Sequence, residues 1–141
     1  MDPANTDGAP LNGIGYWRDE KGNWPHPSDY VDSEWEPLRR TKIVRYLRSG
    51  AILSAYLGFS FCRFKCGISN STMGNREMTD GKWVWPEGLA HYVESHLVRL
   101  PAEFLNTMVE HNFTIPIGLD VEQLLEQPCS TEFWMAWCNM K

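Results

Sequence analysis

Apolar and polar positions alternate along this chain with two periods. Leu38, Ile43, Val44 and Leu47 fall on one side of a 3.6-residue repeat, and Arg39, Arg40, Lys42, Arg45 and Arg48 fall largely on the others. That pattern predicts an amphipathic helix with a basic solvent face. Ser33-Glu34-Trp35-Glu36 fits the S-x-x-E capping box, so the helix is expected to begin near Ser33 and to end at Ser49-Gly50. Residues 51–57 and 59–64 read as a β-branched and aromatic strand broken by Gly58. Residues 67–74 read as a loop. Residues 75–79 and 82–85 flank Asp80-Gly81, the strongest short hairpin signal, with a type I′ turn expected. Trp83 and Trp85 then share one face of the second strand, with Val84 on the other.

Pro86-Glu87-Gly88 breaks that strand, and helices are expected over 89–97 and from Pro101 to about His111. Residues 113–117 read as short and extended. Asp120 and Gln123 form a capping-box analogue opening a helix to Gln127, and Ser130 is placed to cap a last helix reaching toward Met140. Residues 1–15 are rich in Gly, Pro and Asn without periodicity, which predicts a mobile tail. Residues 16–37 carry Tyr16, Trp17, Trp24, Tyr30 and Trp35 among prolines, and read as an extended arm pinned across the surface. The expectation is one α+β domain over 16–141: a small antiparallel sheet or hairpin with packed helices.

The composition is that of an ordinary folded domain. The chain has 141 residues, 43% of them hydrophobic and 22% charged, which suits a folded domain and excludes wholesale disorder. No apolar run reaches the roughly 18 residues of a membrane span, and the polar N-terminus is unlike a secretory signal. A cytoplasmic protein is expected. Charge is uneven. Residues 39–65 hold seven basic side chains and no acid, while the flanks are acidic and the whole chain carries −5. The favoured meaning is a solvated surface salt-bridged to those flanks. The alternative is RNA or other nucleic-acid binding through Arg39, Arg40, Lys42, Arg45 and Arg48, which an acidic chain opposes at long range.

The chemistry concentrates in four residues. Cys62 and Cys66 are spaced C-x3-C, and His91 and His96 are spaced H-x4-H, with the Asp80-Gly81 hairpin between the pairs. Both spacings fall within the windows of structural Cys2His2 zinc sites, in a ββα-like order. A short turn brings two thiolates to one ion, and the helix brings two imidazoles from another side. Residues five apart on a helix lie about 140° beyond a full turn, so the helix must loosen or end near Ser95. The interval between the pairs is longer than in DNA-reading fingers, and Leu89–Leu97 carries no Lys or Arg. Cys129, Cys138, His26 and His111 are read as packing or helix-end residues, not ligands. A filled four-ligand sphere leaves no place for substrate, so zinc here is expected to be structural. Were one position open, Asp80, Glu87 and Glu94 would be the nearest general bases, and a small metal-dependent hydrolase the alternative.

The run Cys62-Arg63-Phe64-Lys65-Cys66-Gly67, then Glu77 to Val93 with Thr79-Asp80-Gly81-Lys82-Trp83-Val84-Trp85-Pro86-Glu87-Gly88-Leu89-Ala90-His91, and His96-Leu97-Val98-Arg99-Leu100-Pro101, resembles a group of small uncharacterised bacterial proteins. The resemblance covers roughly residues 16–108 and implies no activity. The function expected from the residues is a non-enzymatic zinc-binding domain acting by protein–protein interaction, as an adaptor or an immunity-type inhibitor.

Overall fold

A computed structural model describes residues 10–17 and 24–138. In chain order the elements are β1 (Leu11–Gly13), α1 (Arg40–Arg48), β2 (Ala51–Ala55), α2 (Asn70–Met73), β3 (Arg76–Thr79), β4 (Trp83–Pro86), α3 (Leu89–His96), α4 (Ala102–Glu110), α5 (Val121–Glu126), β5 (Cys129–Ser130) and α6 (Glu132–Trp137). A 3-10 turn, Pro27–Tyr30, lies in the aromatic arm. Five strands form one sheet in the order β2-β3-β4-β1-β5. The fold is α+β.

The hairpin of β3 and β4 is the centre of that sheet. Its register pairs Met78 with Trp85 and Thr79 with Val84. Alternation along β4 then divides the apolar residues as the sequence suggests. Trp83 and Trp85 face the large core with Ile43, Leu47, Phe104 and Trp134. Val84 faces the opposite side, with Leu11, Leu53 and Leu124. The connection is not a type I′ turn, because Gly81 has φ +98° but Asp80 does not share a positive φ. Asp80 instead folds inward, fully buried, and its Oδ1 accepts the amides of Lys82 at 2.9 Å and Trp83 at 2.8 Å. The side chain takes over the hydrogen bonds that a tighter turn would make between strands.

Several expectations are corrected. Residues 11–14, placed in a mobile tail, belong to the sheet. Leu11 and Ile14 are buried, and β1 pairs in parallel with both β4 and β5. The sheet is therefore mixed and not wholly antiparallel. Residues 1–9 lie outside the described residues. The first long helix begins at Arg40, not near Ser33. Glu36 precedes Pro37, which disfavours helical backbone there, and adopts φ +48°. Asp32 rather than Ser33 organises the turn, accepting the Glu34 amide at 3.0 Å. Leu38 consequently falls outside the helix and is almost fully exposed. Ile43, Val44, Tyr46 and Leu47 form the buried face.

Residues 59–64 are not a strand. Beyond Ala55 the chain leaves the sheet into a loop in which Tyr56, Leu57 and Phe59 are exposed. Within the expected loop 67–74 there is a helical turn, capped by Ser69 and ended by Gly74 at φ +84°. Residues 113–117 are not extended as a unit, since Asn112 and Phe113 both take left-handed backbone after α4. The expected α3, α4, α5 and α6 are present, with Asp120 capping α5 through the Gln123 amide at 3.1 Å.

Residues 16–17 and 24–37 of the arm behave as the aromatic pattern suggests, and residues 18–23 lie outside the described residues. Trp17 is buried, and Tyr16, Trp24, Tyr30 and Trp35 pack partly buried on the core. Tyr30 stacks on Trp137 at 4.9 Å between ring centroids. The arm is also tied to the end of α3. The Asp32 amide donates to the Leu97 carbonyl at 2.8 Å, and the Arg99 amide to the Tyr30 carbonyl at 2.8 Å. No helix among the described residues is long and apolar enough to cross a membrane.

Candidate metal centre

The two sequence pairs converge. Cys62, Cys66, His91 and His96 each present one ligand atom, and all four atoms lie within 4.8 Å of one another. Sγ of Cys66 is 3.8 Å from Sγ of Cys62 and 3.4 Å from Nε2 of His91. Nε2 of His96 is 3.4 Å from Sγ of Cys62. A tetrahedral zinc ion with bonds of about 2.3 Å to sulfur and about 2.0–2.1 Å to nitrogen holds its ligand atoms about 3.8 Å (S···S) and about 3.5 Å (S···N) apart. The one S···S and two S···N separations above fit that requirement, and the four atoms together lie within 4.8 Å. The set could hold a metal ion.

Local backbone explains each placement. The carbonyl of Cys62 accepts the Lys65 amide at 2.9 Å, and Lys65 adopts φ +53°. This closes a tight turn that folds Cys66 back beside Cys62. On the histidine side, α3 stops where the H-x4-H spacing requires it to. His96 is its last residue, and Leu97 takes left-handed backbone at φ +57°. The arm secures this break from outside, since Asp32 donates to the Leu97 carbonyl. The imidazoles approach with centroids 4.9 Å apart and planes at 80°.

Three residues that the spacing did not single out hold the cluster together. Tyr92 follows His91 on α3, and its hydroxyl accepts the Arg63 amide at 2.9 Å and donates to the Phe61 carbonyl at 3.3 Å. Phe64 stacks on the His96 ring at 4.1 Å and 11°. His26, in the arm, places Nε2 3.2 Å from the Arg63 carbonyl and its ring edge-on to Phe64. The only advance signal was adjacency, since Arg63 and Phe64 lie between the cysteines and Tyr92 beside a histidine.

Electrostatics suit ligation. Burial, and then the neighbouring His96, holds His91 below the usual imidazole range, and burial does the same for His96. Both rings are thereby kept in the neutral form that binds metal. Burial pushes the Cys62 thiol up, and the Phe64 and Cys66 amides oppose it by stabilising the thiolate. Cys62 and His91 are buried, His96 is half-buried and Cys66 is exposed.

The other candidate residues go elsewhere. Arg39 pairs with Glu36 at 2.7 Å, and Arg48 with Glu94 at 2.7 Å. The Arg40 guanidinium is turned onto backbone carbonyls of residues 32, 33 and 35. Arg39 and Lys42 both lie over the Phe113 ring. Arg45 and Arg48 line a shallow groove that also contains Glu94. Much of the basic run is therefore engaged within the fold. Of the carboxylates, Glu87 accepts the amides of Asn75 and Arg76, each at 3.2 Å, and Asp80 lies beneath Tyr46. Neither they nor Glu94 belong to the cluster. Cys129 and Cys138 also stand outside it. His111 bonds to Tyr46, 2.8 Å from Nδ1 to the hydroxyl.

Comparison with known protein families, curated proteins and solved structures finds no match.

Proposed function

We propose that this protein is a structural-zinc domain that acts by protein–protein contact, as an adaptor or an immunity-type inhibitor, and not by catalysis. The observation that carries the zinc assignment is the convergence of two sulfurs and two ring nitrogens within 4.8 Å of one another, with one S···S and two S···N separations near those of a tetrahedral site. Two thiolates and two imidazoles suit zinc among the common divalent ions. Four protein ligands complete its preferred sphere, so the ion binds no substrate and its role is to hold the Cys62–Cys66 loop against α3. Contact with a partner is supported by the neighbouring loop, where Tyr56, Leu57 and Phe59 are each more than half exposed. Apolar groups displayed together in this way are the usual substance of an interaction site.

Native mass spectrometry with elemental analysis tests the assignment. The wild-type protein is expected to carry one zinc per chain and Cys66→Ser to lose it or bind it far more weakly. Equal metal content in the two, or none in either, overturns the reading. For the contact surface, Leu57→Asp combined with Phe59→Asp is expected to retain zinc and lose a partner captured by the wild type. Capture unaffected by the double substitution removes this surface from the proposal.

A further inference from the structure

Resting on the zinc reading above, we infer that Cys62 and Cys66 are an oxidisable pair, and that a peroxide converts them to a disulfide with expulsion of the zinc ion. Two observations converge on this. The two sulfurs already lie 3.8 Å apart on one five-residue turn, so bond formation needs only a small closing movement. Their surroundings differ: Cys66 is exposed at the protein surface, whereas Cys62 is buried behind it. An oxidant thus meets Cys66 first, with Cys62 waiting within reach as the resolving thiolate.

The Cys66 thiolate attacks one oxygen of hydrogen peroxide. The O–O bond breaks, hydroxide leaves and takes up a proton, and Cys66 becomes a sulfenic acid. The Cys62 thiolate then attacks the Cys66 sulfur, forming the S–S bond and displacing a second hydroxide, which is also protonated to water. Two thiolates and one peroxide, with two protons, yield one disulfide and two waters. The two electrons leave sulfur for oxygen, and zinc keeps its charge throughout. Stripped of both sulfur ligands, it retains only His91 and His96 and dissociates. The consequence is local. The Cys-bearing loop carries Leu57 and Phe59 nearby, and without the ion it loses the four-ligand clamp to α3 while keeping the Tyr92 hydrogen bond and the stack of Phe64 on His96. Oxidation therefore changes how that apolar loop is presented.

The test uses the full chain with Cys129 and Cys138 both replaced by Ala, loaded with zinc and treated with hydrogen peroxide. Zinc content is measured first, and its absence in the untreated wild type refutes the zinc reading itself. With zinc present, released metal is followed with a chromophoric chelator while trypsin digestion locates the bond. Cleavage at Arg63 and Lys65 puts the two cysteines on separate peptides, residues 49–63 and 66–76, which only a disulfide joins. The expected result is one zinc released per cross-linked peptide pair formed, with both reversed by dithiothreitol and added zinc. Zinc retained at peroxide levels that oxidise a free thiol, or zinc lost with sulfinic acid and no cross-linked pair, overturns the inference and leaves the zinc assignment standing. The wild-type chain run in parallel is expected to yield the same peptide pair, and a predominant bond to Cys129 or Cys138 counts against it.

Discussion

The hydroxyl of Tyr92 takes the backbone amide of Arg63 at 2.9 Å, and the immediate chain neighbours of those two residues are His91 and Cys62. One buried phenol thus fixes the distance between the histidine-bearing helix and the cysteine-bearing loop before any ion is bound. Tyr92→Phe keeps the ring packing and removes this tether. Partners that orient metal ligands typically contribute about 10–100-fold in affinity. Zinc affinity, read by competition with a chelator of known strength, is expected to fall within that range. Unchanged affinity shows that the loop is placed by the cysteines alone.

Chelation addresses the same loop from the other side. Structural zinc contributes on the order of 10 kcal/mol of binding free energy to folding in small zinc domains. Here β3 and β4 are held by their strand pairing and by Trp83 and Trp85 in the large core, so loss of the ion is expected to act unevenly. Hydrogen exchange in the presence of a strong chelator should rise sharply over residues 60–69 and little over 76–86. Uniform exchange throughout both segments contradicts a local role for the site.

Acid should weaken the metal-free protein. His91 and His96 are held below the ordinary imidazole value of 6.5, chiefly by burial. Between that value and their folded values, the unfolded chain binds more protons than the folded one. The stability linked to these two rings is thus present above about pH 6.5 and is lost as pH falls. Urea midpoints of the chelated protein are expected to decline from pH 7 to pH 5, and less so in the double variant His91→Gln with His96→Gln. An equal decline in both assigns the acid sensitivity to other groups.

Tyr46 joins two elements through a buried acid. Its hydroxyl donates to Oδ2 of Asp80 at 2.6 Å and lies 2.8 Å from Nδ1 of His111. Burial raises the Asp80 carboxyl, while Tyr46 and the amides of Trp83 and Lys82 pull it back. Tyr46→Phe leaves a buried carboxylate oxygen without its donor, at a cost of about 1–3 kcal/mol. The expected signature is a lower denaturation midpoint with an unchanged slope. A midpoint equal to wild type means that water replaces the phenol.

Gly74 meets both of the constraints that exclude a side chain. Its φ is +84°, and a Cβ there would stand 2.2 Å from Oε1 of Glu87. That carboxylate caps the start of β3 by accepting the amides of Asn75 and Arg76. Gly74→Ala is expected to destabilise by about 1–3 kcal/mol, and Gly58→Ala, where nothing lies within 4 Å, by much less. Similar thermal midpoints for the two variants would falsify this account.

The hairpin, α3 and all four cluster residues were legible in the sequence because their signals are local. Asp80-Gly81, the Trp83 and Trp85 alternation and the two ligand spacings each lie within a few residues. The H-x4-H difficulty even located the helix end, which Leu97 supplies. What escaped was decided at long range or by competition. Leu11-Asn12-Gly13 has no alternation to betray a strand, and becomes one only because β4 and β5 offer hydrogen bonds on either side. At Ser33 a sound capping box lost to the neighbouring Asp32 turn and to Pro37. The 59–64 run is as aromatic as a strand, but its cysteine is held out of the sheet by the turn to Cys66 and the tether to Tyr92.

The place of β1 also constrains how the molecule is made. Its outer neighbour, Cys129–Ser130, lies more than a hundred residues downstream. During synthesis, Leu11 and Ile14 must wait for Cys129 and Ser130 to leave the ribosome before that side of the sheet can close. A nascent chain paused short of Cys129 exposes an unpaired backbone edge on β1, open to chaperones or to a neighbouring nascent chain.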